Sequence, residues 1–263
     1  MAEHLQLGLW QMLAAYIFVV ILLVIVRIKG ISREKEIIIA SLRMTLQLII
    51  AGYVLQFLLE NSRPLYTVIT ILVMEAFSIY NIQKRVKREL SPELKKVIAI
   101  SMFCGTLSAL LFFLFVVIQI DPWYDPATFI PIAGMLIGNA MTGISLAVNG
   151  LVDSMHLQKD LIEASLMLGA KPKVACKDII DKSFDSAILP TLNSMLGMGI
   201  VFLPGMMTGQ ILSGVSPHMA TRYQIVIMLG ILGSVSLTVF LFVEFAYKTF
   251  FNEKSQIIIS RDK

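Results

Sequence analysis

Two charged side chains stand inside runs that are otherwise apolar. Arg43 interrupts the stretch 36–59 and Glu75 interrupts the stretch 65–82. A charge surrounded by hydrocarbon is expensive, so such residues face a protein interior, pair with each other or line a path for ions. Arg43 lies about seven residues in from one end of its run and Glu75 about nine in from Lys84, which at a rise of 1.5 Å per residue puts them at similar depths. The expectation is an Arg43–Glu75 ion pair that fixes helix packing or takes part in cation passage.

Metal-ligating chemistry is the other signal. Met135, Met141, Met195, Met198, Met206 and Met207 gather in two of the apolar stretches. Thioethers suit soft metals, whereas iron prefers carboxylate, imidazole or harder oxygen donors; methionine is also a flexible packing residue. His4, His156 and His218 all fall in connecting segments, which leaves no imidazole site inside a membrane. A metal ion crossing here would rely on Glu75, on the amide oxygens of Asn139, Asn193 and Gln210, on backbone carbonyls, or on Met141, Met206 and Met207. Cys104 lies in an apolar run and Cys176 in a charged loop, with no CxxC spacing, so both read as free thiols.

The elements that must hold these residues follow from charge. The 263 residues are 57% hydrophobic and 15% charged, against roughly 25% charged in soluble domains. Leu5–Val26, Val97–Ile120, Pro126–Val152, Ser186–Pro217 and Tyr223–Val243 contain no Asp, Glu, Lys or Arg, and each is long enough to cross a bilayer as helix. The fold class is an all-α, polytopic integral membrane protein with about seven spans: 8–27, 36–59, 65–82, 96–120, 128–151, 186–208 and 223–247. The chain reads as one membrane domain over 1–263. The sixth region is the irregular one, because Pro190, Pro204, Gly205, Gly209, Gly214 and Pro217 punctuate it. A broken or re-entrant helix is expected there, of the kind tolerated only when buried in protein or facing a wet cavity. No basic residue precedes the first apolar run, so it is not a cleavable leader.

Basic residues set the orientation. With the N-terminus outside and the C-terminus inside, 19 of the 22 Lys and Arg fall on the cytoplasmic side, including Lys87, Arg261 and Lys263. Only Arg63 and Arg222 lie outside. Topology thus accounts for the net charge of +4, and no nucleic-acid partner is needed. Glu244 and Lys248, four apart, are expected to form a helical pair.

The longest polar connection, 153–185, holds the segment "LQKDLIEASLMLGAK". Leu161, Ile162, Ser165, Leu166 and Leu168 recur at helical spacing, with Lys159, Asp160 and Glu163 on the other side. Gly169 suits the end of that helix and Pro172 the start of the next. A short rigid helix across the cytoplasmic face, tied to a spanning helix, can transmit a rigid-body displacement.

Here a resemblance appears. Glu163, Ala164 and Gly169 resemble the EAA loop of ABC-transporter permeases, with Ser165 in place of the second Ala, Ile179 matching and Leu189-Pro190 eight residues late. "GMLIGNAMTGISL" (134–146), "EASLMLGAKP" (163–172) and "LPGMMTGQILSG" (203–214) resemble the FetB-like (UPF0014) permease family over nearly the full chain. That family includes plant proteins linked to aluminium tolerance. The resemblance implies a multi-pass permease of the bacterial cytoplasmic (inner) membrane, a subunit of an iron-exporting ABC transporter working as a homodimer with two ATP-binding subunits. It implies that Glu163, Ala164, Ser165, Gly169 and Ala170 meet that subunit. ATP and Mg would bind there, with no cofactor on this chain, which has no GxxxxGK[ST] loop. A nucleotide sugar or other organic solute is the alternative cargo. An ATPase-independent secondary transporter should show inverted repeats, and none is evident. A membrane enzyme lacks support, as no HExxH or GxSxG motif is present.

Overall fold

The computed structural model describes residues 8–86 and 88–258; His4, Lys87, Arg261 and Lys263 lie outside the described residues. Among the described residues all regular structure is helical apart from two isolated bridges, Met198 with Phe202 and Phe251 with Ile257. The backbone forms two compact units, Met1–Ser62 and Arg63–Lys263.

In the first unit α1 (Leu9–Ala15) and α2 (Ile17–Ile28) run on from one another and α3 (Glu34–Glu60) packs against α2. The Tyr16 and Thr45 hydroxyls share a hydrogen bond. Val26 is the one buried residue of α2 and Leu58 that of α3, among the described residues. Helices this apolar and this bare are built for a hydrocarbon surround.

The second unit holds α4 (Pro64–Arg85), α5 (Pro92–Phe112) continued by a π-helical segment (Phe113–Ile118), and α6 (Pro126–Leu157). Then come α7 (Lys159–Met167), α8 (Pro172–Ala175), α9 (Lys177–Gly197), α10 (Gly205–Leu212) and α11 (Pro217–Ala246), with a final 3-10 turn (Tyr247–Phe250). Pro64, Pro92, Pro126, Pro172 and Pro217 each open a helix, where the missing N–H costs nothing. Ser91 accepts from the Leu94 N–H at 3.2 Å and Asp125 from that of Thr128 at 3.1 Å, so α5 and α6 start on capped ends.

The core is built around α6, which packs against α4, α5, α9 and α11. Leu136, Ala140, Ile144, Ala147, Val148, Leu151 and Met155 are fully enclosed. α5 and α11 meet backbone to backbone at Gly105: a Cβ there would lie 2.6 Å from the Thr238 Cα. Small residues permit this approach, which in a membrane supplies the packing that hydrophobic collapse supplies in water.

Among the described residues six helices are long and apolar enough to span a membrane: Trp10–Ile28, Glu34–Glu60, Pro64–Arg85, Pro92–Ile118, Pro126–Leu157 and Pro217–Phe250. The stretch 186–208 is not a seventh of this kind. α9 stops at Gly197, Gly199 turns at φ +83° and donates to the Phe202 carbonyl at 2.9 Å, and Pro204 opens α10. At eight residues α10 is about 12 Å long, well short of the hydrocarbon thickness. The expected break is present and falls between Gly197 and Pro204, whereas Pro190 lies inside α9 and Gly205 and Gly209 inside α10.

At the head of α9, Cys176 is fully enclosed, and burial pushes its thiol up to about 11. The raised value favours the folded chain below the ordinary thiol value of 9.0, and that contribution is lost as pH climbs from there through about 11. Cys176 is expected to resist a maleimide at pH 8 until the protein is unfolded; native labelling at the rate of a free cysteine would show that this junction is open. Gly105→Val is expected to cost about 1–3 kcal/mol through overpacking against Thr238. Gly233→Ala, with no atom within 4 Å of the new Cβ, should leave the detergent-solubilised protein's melting temperature unchanged.

Candidate functional site

α6 reaches its end at Leu157, and α7 begins after a single residue, Gln158. Ile162 is 1% exposed and joins the core, with Leu166 half-buried beside it. Lys159 and Glu163 form an ion pair at 3.8 Å, and the Ser165 hydroxyl donates to the Leu161 carbonyl at 2.8 Å. α7 ends on Gly169 at φ +88°, where Gly169 N–H donates to Leu166 and Ala170 N–H to Ser165. This is a Schellman corner, which favours glycine because side chains strain at that φ. The backbone then turns into α8 at Pro172.

The apolar residues of this segment divide. Ile162 and Leu166 face in, whereas Leu161 (64% exposed), Met167 (86%), Leu168 (90%) and Val174 (65%) stand out. The single apolar face read from periodicity is thus two: Leu161 sits one residue, hence 100°, from Ile162, and Leu168 lies beyond the last helical turn. Ala164 and Gly169 are exposed, and Glu163, Ser165 and Ala170 are half-buried, so all five expected contact residues share one surface segment.

One ion pair braces it and a second ties the end of α6 to the residues before α5. Lys173 of α8 reaches Glu244 of α11 at 2.6 Å, and the carboxylate holds the lysine above its usual value. Arg88, before α5, meets Asp153 of α6 at 3.2 Å. Glu244 therefore pairs with Lys173 rather than with Lys248, whose Nζ lies 5.1 Å from the centroid of the Phe245 ring. A short tertiary contact displaces the local i,i+4 one.

The residues expected to handle a metal are spread over four helices. Glu75 is on α4, 4% exposed, and Thr106 of α5 donates to its Oε1. Glu75 Oε2 is buried without a hydrogen-bond partner among the described residues. Arg43 lies on α3 in the first unit. Asn139 and Met141 are on α6, the former exposed with its amide N–H donating to the Met135 carbonyl at 2.8 Å. Asn193 is exposed on α9. Met206, Met207 and Gln210 are half-buried on α10, with the Gln210 Oε1 buried and unpartnered among the described residues. Met135, Met141, Met195, Met198 and Met206 pack against the apolar core. Among the described residues no three His, Cys, Asp or Glu side chains gather as a metal cluster. Thr106 is the residue that sequence reasoning missed, since a hydroxyl in a span carries no signal until its partner, 31 positions away, is placed beside it.

The family model described as "Uncharacterised protein family (UPF0014)" matches residues 9–251. The chain is 32% identical to the "Probable iron export permease protein FetB" of Escherichia coli, over 95% of this chain and 94% of that one. It is 33% identical to the "UPF0014 membrane protein YjkA" of Bacillus subtilis, over 92% and 94%. It is 31% identical to "Protein ALUMINUM SENSITIVE 3" of Arabidopsis thaliana, over 95% and 90%. No solved structure matches the chain. With bare apolar helices, a cross-linking surface helix and near full-length similarity in agreement, the chain belongs to the UPF0014 family of membrane proteins.

Proposed function

We propose that this chain is the membrane subunit of an ABC transporter, driven by a separate ATP-binding subunit that docks on α7, with a metal ion as cargo. The observation that carries this reading is that Leu161, Met167, Leu168 and Val174 are left bare along α7, its corner and α8, while Ile162 of α7 is locked into the core. Exposed apolar side chains on a rigid helix are docking knobs; each fully buried one contributes about 1.5–3 kcal/mol. The partner's motion reaches the bundle because α7 has one residue of slack toward α6 and is braced on α11 through Lys173 and Glu244. The assembly has two copies of each subunit, with the N-terminus outside and α7 in the cytoplasm of a bacterial cell. Iron or another metal ion as cargo follows the name of the Escherichia coli relative.

Leu168→Asp should weaken co-purification with the ATP-binding subunit about 10- to 150-fold, the equivalent of one lost apolar anchor. Its melting temperature should not move, since Leu168 touches little of the fold. Gly169→Val, which forces a branched side chain into the left-handed region, should lower cargo-stimulated ATPase while the subunits still associate. Unchanged association in Leu168→Asp, or ATPase stimulated by a nucleotide sugar and by no metal ion, would overturn the docking role or the cargo class respectively.

A further inference from the structure

The surface is hollow along the seam between α5 and α11. Phe112 and Val117 stand on one side and Val226, Leu229 and Leu237 on the other, bounding a space of about 380 Å³. Two features open it. Gly230 and Gly233 send no side chain into it: a Cβ on Gly230 would lie 2.5 Å from the Phe113 ring, and one on Gly233 would meet no atom within 4 Å. From Phe113 onward α5 widens into its π-helical segment, a device that recurs at functional sites. The Ser108 hydroxyl on the lining donates to the Cys104 carbonyl of its own helix at 2.6 Å, so the groove presents hydrocarbon.

Two close approaches fix its depth. Gly105 abuts Thr238 and Gly230 abuts Phe113, so α5 and α11 are antiparallel, and Arg222 falls near the level of the 119–124 turn that carries Trp123. From Val226 to Leu237 the groove runs about 16 Å along α11, which is one leaflet's share of a roughly 30 Å hydrocarbon core. It occupies the half of α11 remote from α7, since the other end holds Glu244, the partner of Lys173.

Charge says what fits there. Arg222, Val226, Leu229, Gly233 and Leu237 follow one another at steps of four and three, a single stripe along a helix, so Arg222 stands one turn beyond the groove on the same face. It is exposed, and its guanidinium makes no hydrogen bond or ion pair among the described residues, with Asp121 of the facing turn or with any other. Trp123 and Tyr223, both exposed near this level, are the residue types that sit among lipid headgroups. A guanidinium matches phosphate oxygens in a fork. A second copy is the poorer occupant: a two-fold axis along the membrane normal would set one Arg222 against the other.

We propose that this groove is a phospholipid site, in which one acyl chain of an anionic glycerophospholipid lies between α5 and α11 and its phosphate rests on Arg222. The exposed Ile225 beside it is off the stripe and meets bulk lipid instead. A chain held in the groove fills the space flanking the Phe113–Gly230 contact and seals α11 to α5 over the half of the pair remote from α7. The site goes beyond the transport reading and does not depend on it.

The test uses the full chain in phosphatidylcholine vesicles with rising fractions of phosphatidylglycerol brominated on its acyl chains. After Trp10→Phe and Trp123→Phe, Leu229→Trp reports on the groove and Ile225→Trp, at the same depth, on bulk lipid. Quenching of Leu229→Trp should reach half its maximum at a phosphatidylglycerol fraction about 5-fold lower than for Ile225→Trp, the worth of one basic residue at an anionic headgroup. Arg222→Gln should remove that difference and leave the melting temperature unchanged. With no reporter present, the unaltered chain should keep a phosphatidylglycerol through mild detergent, seen by native mass spectrometry, and Gly233→Phe, which grows into the groove, should lose it. Equal half-quenching fractions for the two reporters, or lipid retained by Gly233→Phe, overturn the site. So does cross-linking of Leu237→Cys between two copies in a Cys104→Ser background with quenching at Leu229→Trp lost, since the face is then a subunit contact. A preference that survives Arg222→Gln overturns the headgroup assignment. Neither the ATP-binding subunit nor a cargo enters these measurements, so their outcome is separate from that of Leu168→Asp.

Discussion

The packing of α6 against four neighbours is the constraint on which the second unit depends. Lipid tails are as apolar as leucine, so no hydrophobic force drives one spanning helix onto another; close contact and satisfied polar groups must do it. α6 meets that demand with small residues where neighbours press in. Gly143 faces Val235 of α11 and the Ala187 carbonyl of α9, and Gly134 faces Met74 of α4. Leu136, Ile144, Leu151 and Met155 fill the volume between these approaches and are fully enclosed. A helix held this way moves as a unit or not at all.

Glu75 belongs to that same inner scaffold. It continues the buried face of α4 set by Thr67, Ile71, Ser78 and Ile82, at helical steps of four and three. Its link to α5 is the Thr106 hydroxyl, which also lies 2.7 Å from the Met102 carbonyl. One hydroxyl proton thus serves two acceptors, and the carboxyl is tied to the backbone of the neighbouring helix. Such a group fixes α4 against α5.

Six of the seven expected spans were legible because an apolar run of some 20 residues has one common physical cause; the charge-free stretch 186–208 misled, since its length conceals the break at Gly199. The corner at Gly169 was legible too, since a left-handed residue before a proline leaves few alternatives. Pairings across helices were not. Nothing in the order of residues brings Thr106 to Glu75, or Lys173 to Glu244. The i,i+4 rule pointed instead to Lys248, which rests on an aromatic ring. Likewise the two faces of α7 became distinct once Ile162 was seen to be sealed and Leu161 was not.

α7 is attached at one end to α6 through Gln158 and at the other, by way of the Gly169 corner and α8, to α9. A load applied at Leu161 and Leu168 therefore acts first on α6 and α9, while α4 and α5 remain joined by Glu75 and Thr106. The Lys173–Glu244 bridge adds α11 to the loaded set, and α11 carries Val235, the side chain that presses on Gly143 of α6. A handle joined to a single span would tilt that span; one joined to two packed helices changes how they sit against each other.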